Sequence, residues 1–199
     1  MTDAIFFEEC MQKHGVLVEL LYASVSAKRA EHCKRVAVHC VQLAYKHAVD
    51  REHAFLAGIA HDLCREWTDK QLVETAEAES IVMEAYERDE PVLLHGKIAP
   101  YVLAQKYPMH QCVYDAIAVH TLGCVQTTDL QKVLYIADAL DDERPLWQTP
   151  QGRSAWRDIL HQATLENMMD TLIEHMMQRY DIHPLTRAMQ RSIQSTPSL

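Results

Sequence analysis

Glycine and proline are scarce in this 199-residue chain, at 5 and 7, and the β-branched runs typical of strands are missing. The periodicity that remains is helical, so the expected fold class is all-α. The six cysteines (Cys10, Cys33, Cys40, Cys64, Cys112, Cys124) contain no CxxC pair. That leaves no dense disulfide framework, and they read as reduced, mostly buried thiols of a cytoplasmic protein. Positive charge is also short. With 19 Lys and Arg against 28 Asp and Glu the net charge is −9, which argues against nucleic acid or an acidic membrane surface as the main partner. A small anionic substrate stays compatible where cations gather locally. The longest apolar stretch, Val16 to Val25, is interrupted by Glu19 and too short to span a bilayer. The first residues, Met1 to Glu9, have no basic segment and turn acidic at once, so no signal peptide is expected.

What is present suits one globular domain: 48% hydrophobic and 24% charged residues. Helices are expected over residues 4–22, 26–48, 52–63, 68–89 (one or two), from 94 to before Pro108, and 110–120. Thr128-Asp129-Leu130-Gln131 is a capping-box pattern that starts the next helix. A long helix is expected over 152–180, and Pro184 suits the first turn of a last one. Cys33, Val36, Ala37, Cys40, Val41 and Ala44 form one apolar stripe, while Glu74, Glu77, Glu79, Glu84 and Glu87 read as a solvated face. The expected layout is an N-terminal helix over 1–24 packed on the domain, a central core over 25–145, C-terminal helices over 146–194, and a frayed tail over 195–199.

The doublet His61-Asp62 ends an apolar helical run. Four residues far away in sequence can join it: His32, His95, His120 and Asp138. Each falls on the face of its helix that is expected to be buried, as Asp138 does after Leu130 and Leu134 at four-residue steps. A buried carboxylate needs a cation, and imidazole plus carboxylate without thiolate suits Fe, Mn or Zn. Six protein ligands exceed what one ion takes while leaving room for substrate. Two metals sharing Asp62 is the economical reading, and such a pair suits in-line phosphoryl hydrolysis. His14, His39, His47, His53, His110, His161 and His175 read as surface or packing residues, and His183 as a packing or helix-entry residue.

The ordered set also has recognisable flanks: Lys28-Arg29-Ala30-Glu31-His32, Ala57-Gly58-Ile59-Ala60-His61-Asp62, Leu93-Leu94-His95-Gly96, Asp115-Ala116-Ile117 to His120-Thr121, Lys132 to Asp138, and Ile182-His183-Pro184-Leu185-Thr186. Over about residues 16 to 190 the chain resembles the HD-domain metal-dependent phosphohydrolases, and within them the YqeK family. The resemblance implies an all-helical HD fold with a di-iron centre. His32, His61, Asp62 and Asp138 would bind one ion, and Asp62 would bridge to a second held by His95 and His120. The implied activity is symmetrical hydrolysis of diadenosine tetraphosphate to two ADP by a metal-bound hydroxide. Asp62, Arg65 and Lys132 are the expected catalytic residues. Arg29, Arg65, Lys132 and Arg144, which lie next to ligand positions, are the expected substrate-binding residues together with Thr121.

Several positions depart from the family pattern, among them Ala139, where a tyrosine able to stack on a base is more common. Arg65 stands where a lysine is usual, and it spreads its charge over a planar fork. Asp141 is one methylene shorter than the glutamate common there, and Leu122 replaces a common threonine. These bear on substrate choice, so an HD phosphohydrolase of another nucleotide, a mononucleotide or deoxynucleoside triphosphate, is the alternative. A non-catalytic nucleotide sensor is a further one. Iron, manganese and zinc are all compatible with the ligand set, and a homodimer is left open.

Overall fold

Two capped helices form the centre of the molecule, whose computed structural model describes residues 2–195. Ser26 accepts a hydrogen bond from the Arg29 amide and starts α3 (Ala27–Lys46); Asp50 accepts one from the His53 amide and starts α4 (Arg51–Ala60). The α3 stripe from Cys33 to Ala44 is buried as its spacing predicts, and α4 is buried continuously from Ala54 to Ala60. The two helices cross closely at Gly58. A Cβ there would lie 2.7 Å from the Ala37 Cα, a distance that backbone cannot accommodate.

Around this pair the described residues form further helices and no strand. α1 (Asp3–Lys13) and α2 (Gly15–Ser24) pack on α3 and α4. α5 (Asp69–Ala78) and α6 (Ala85–Asp89) lie on the surface, followed by a 3-10 segment, Pro91–Leu94. α7 (His95–Lys106), α8 (Gln111–Val119) and α9 (Asp129–Ala139) complete the wall around α3 and α4. α11 (Leu165–Met177) braces α9 from outside, with α10 (Pro150–Leu160) and α12 (Pro184–Ser195) packed on α11. Their anchors are two indoles: Trp147 Nε1 donates to the Ala139 carbonyl and Trp156 Nε1 to that of Leu140, both at 2.8 Å. The C-terminal end of α9, which carries Asp138, is thereby fixed. No helix of the described residues is long and apolar enough to cross a membrane.

Four expectations need correction. The N-terminal helix breaks at His14, whose ring turns inward against Phe55 and bonds the Tyr107 hydroxyl at 2.7 Å. The long helix expected over 152–180 is two, because Thr164 caps a new start by accepting from the Asn167 amide. The helix expected over 52–63 ends at Ala60. After it the backbone tightens, with Leu63 N bonded to Ala60 O and Arg65 N to Asp62 O, so the doublet sits on a turn. Finally, Glu87 does not belong to the solvated face: it is 3% exposed, paired with Lys97 at 2.7 Å, and closes the α6 capping box. Of the tail expected to fray, Ser195 closes α12 and residues 196–199 lie outside the described residues.

Candidate metal centre

Four of the helices end or begin at the same place. His32 lies in the second turn of α3, His61 and Asp62 follow α4, His95 opens α7, His120 follows α8, and Asp138 sits in the last turn of α9. Glu66 closes the turn after the doublet onto the start of α3, accepting from the Ser26 amide at 2.6 Å and from its hydroxyl at 2.7 Å.

Each histidine is turned by its own Nδ1–H. That of His61 donates to the Gly58 carbonyl at 2.8 Å, that of His95 to Val92 at 2.5 Å, and that of His120 to Ile117 at 2.7 Å. The three are the same contact, a ring folded back on the carbonyl three residues earlier at a helix end. His32 instead donates to the Asp141 carboxylate at 2.6 Å. The tautomer is set in every case, and all four Nε2 atoms face one centre.

Asp62 stands between them with its two oxygens divided. Oδ2 is 3.6 Å from His32 Nε2 and 3.5 Å from His61 Nε2, while Oδ1 is 3.2 Å from His95 Nε2 and 3.7 Å from His120 Nε2. Asp138 Oδ1 adds to the first side, 3.2 Å from His32 and 3.8 Å from His61. The six expected ligands are thus brought together as two triads sharing Asp62, His32–His61–Asp62 and Asp62–His95–His120, with Asp138 beside the first.

These residues fit divalent cations. His32 Nε2 and His61 Nε2 are buried without a hydrogen-bond partner. His95 Nε2 and His120 Nε2 lie 3.1 Å apart, two lone pairs facing each other once both Nδ1 atoms donate to carbonyls. Only a proton or a cation relieves that contact, and no thiol belongs to either triad. The electrostatics agree. Burial opposes the charge of Asp62, but His61, His120 and His95 reverse this and hold its pKa well below the usual range. Asp138 is lowered in the same way, burial being outweighed by Arg144 and His32. Burial drives His61 down to about 4, a neutral ring ready to coordinate. For His32 burial is outweighed by Asp138 and Asp141, and its pKa rises to about 9, so an ion bound there would take the place of the Nε2 proton.

The centre is the floor of a cleft of about 730 Å³. Arg29, Arg65, Thr121 and Arg144 line it as expected. Arg29 reaches Asp62 Oδ2 at 2.8 Å, and Arg144 pairs with Asp138 while its Nε donates to the Asp138 carbonyl. The guanidinium of Arg65 makes no ion pair among the described residues. Lys132 is a correction. It is buried away from the cleft, its ammonium held by Asp129 and Glu166. Six residues before Asp138, it lies about 120° round α9 from the ligand face. Two cations of the cleft were missed in sequence, Lys28 and Arg35. They lie four residues before and three after His32, on its face of α3, so helical spacing carried the signal. His183 is not in the cleft; its Nδ1 accepts from the Leu185 amide and its ring meets Tyr86 edge-on.

Comparison with known proteins agrees with this geometry. A family model, the HD domain, matches residues 29–143. A Mycoplasma genitalium protein named as a probable nicotinate-nucleotide adenylyltransferase/Ap4A hydrolase is 32% identical over 70% of this chain, which spans only 39% of that protein's length. The symmetrical bis(5'-nucleosyl)-tetraphosphatase of Bacillus subtilis is 24% identical, covering 78% of this chain and 83% of its own. Among solved structures, a Clostridium acetobutylicum protein described as a predicted HD superfamily hydrolase involved in NAD metabolism superposes with a TM-score of 0.76. It is 22% identical and covers 90% of this chain and 95% of its own, a likeness of fold. The match from Arg29 to Glu143 encloses all six converging ligands, and the chain belongs to the HD domain family.

Proposed function

We propose that this protein is a metal-dependent phosphohydrolase that cleaves dinucleoside tetraphosphates symmetrically, taking diadenosine tetraphosphate to two ADP. The observation that carries the reading is the divided carboxylate of Asp62, one oxygen toward His32 and His61 and the other toward His95 and His120. That arrangement suits two divalent ions, iron in the first place, with manganese and zinc compatible with the same ligands. When bound, such ions supply the Lewis acidity that phosphoryl hydrolysis needs near neutral pH.

Charge supports a long phosphate chain. Five cationic side chains and five carboxylates line the cleft and formally cancel. Two dications would leave it positive by about four charges, the formal charge of a tetraphosphate. Arg65, Arg29 and Arg144 are the groups to hold phosphate oxygens, with the Thr121 hydroxyl as a donor beside His120. Names of the relatives at 24–32% identity support the substrate class. Lys132 has no part in this reading.

The test is incubation of iron-loaded protein with diadenosine tetraphosphate and separation of the products. Two ADP per substrate is the expected result. AMP plus ATP, or no turnover, would sink the proposal, and preference for a mononucleotide by kcat/KM would move it to the other nucleotide class.

A further inference from the structure

A second group of ligand-type side chains converges outside the HD cleft. We propose that His53, His110 and Cys112 form a separate site for one divalent transition ion with an affinity for sulfur, zinc being the best fit. His53 lies in the first turn of α4, His110 is the N-cap of α8, and Cys112 lies in the first turn of α8. Packing of α4 against α8 joins them. Cys112 Sγ is 3.0 Å from His110 Nδ1 and 3.5 Å from His53 Nδ1, and the three donor atoms all lie within 4.8 Å of one another.

A tetrahedral zinc at its usual bond lengths holds sulfur and nitrogen about 3.5 Å apart. The His53 pair already has that separation, and His110 has to withdraw by roughly half an ångström. The two rings are stacked, with centroids 5.0 Å apart and planes at 22°, and both present Nδ1 to the same sulfur. Asp50 Oδ1, 3.8 Å from His53 Nδ1, or a water can complete the sphere. Burial and the charges of Asp50 and Asp115 raise the Cys112 thiol pKa. The same negative field attracts a dication, and the thiol proton passes to solvent when the metal binds. His110 is exposed and the other two are half-buried, so an ion has a path in.

The site differs from the HD centre in chemistry, because the HD triads hold no sulfur. Its position gives it a role. α4 leads to His61 and Asp62 and α8 leads to His120. An ion at their starts would clasp the far ends of two helices that carry three HD ligands.

Cobalt(II) titrated into the full chain separates the two centres, since only thiolate ligation gives a sulfur-to-cobalt charge-transfer band in the near-ultraviolet. The band is expected in the unmodified protein, displaced by zinc and absent in Cys112→Ala. In His110→Gln it should need roughly tenfold more cobalt, and in Asp62→Ala it should be unchanged. Absence of the band from the unmodified protein, or its survival in Cys112→Ala, overturns the proposal. Zinc should also raise the Tm of the unmodified protein by more than that of a folded Cys112→Ala, in which only the HD centre is left to take it.

Discussion

Asp141 Oδ2 lies 2.6 Å from His32 Nδ1, while its Oδ1 is bound by Arg35 Nε at 2.8 Å. Burial disfavours the charge of Asp141, yet His32 and Arg35 hold its pKa well below the usual carboxylate range. It is a carboxylate that aims an imidazole at the centre. Asp141→Asn keeps the shape and removes the charge, so the first triad should lose metal, with affinity or activity down roughly 10- to 100-fold. Metal content after dialysis, read beside turnover, checks this. Unchanged metal and turnover would deny Asp141 its positioning role.

Arg65 and Lys132 separate cleft from scaffold. Arg65→Ala should lower kcat/KM by roughly tenfold to a hundredfold, the range for one charge-assisted hydrogen bond, without altering metal content. Lys132→Met should leave kcat/KM as it was and lower the Tm, because Glu166 loses its partner. Steady-state kinetics and thermal melts on the two variants decide the matter; the reverse pattern would restore Lys132 to the active site.

Gly58→Ala tests the helix crossing. Its Cβ would meet Ala37 backbone at 2.7 Å and Cys40 Sγ at 3.0 Å, so overpacking should cost about 1–3 kcal/mol. Because the Gly58 carbonyl also orients His61, metal content should fall with stability. A urea midpoint equal to that of the unmodified protein would show that the crossing yields freely.

His14 gives a pH dependence remote from the metal centre. Burial lowers its pKa, against a smaller opposing effect of Glu52. The neutral ring is the folded form, so its contribution is complete above the unfolded imidazole pKa of about 6.5. It is lost as pH falls through the lowered folded value. Urea unfolding of the unmodified protein should therefore weaken more steeply on acidification below about pH 6.5 than that of His14→Phe. Parallel profiles would refute this.

Much of the fold was legible because a helix repeats. Period alone placed His32, His95, His120 and Asp138 on inward faces, and Thr68, Thr128 and Ser26 cap where their types predict. The break at His14 did have a signal in Gly15, the residue type that follows helix ends, but the apolar pattern on both sides masked it, and the His14 ring against Phe55 and Tyr107 fixes the corner. Thr164-Leu165-Glu166-Asn167 did contain a capping signal, masked by the apolar pattern running through it. Lys132 was misplaced because nearness to a ligand in sequence says nothing of angle around α9.

Residue types and helical spacing were enough to name six candidate ligands that the fold brings together and the class of ion they suit, because both are local properties of the chain. That Asp62 is shared was already legible from the ligand count; the geometry of the sharing is not local. That Asp62 divides its oxygens between two histidine pairs, that Asp141 aims His32 from 109 residues away, and that Lys132 turns to Glu166 all follow from how α3, α4, α7, α8, α9 and α11 pack, which tertiary structure alone decides.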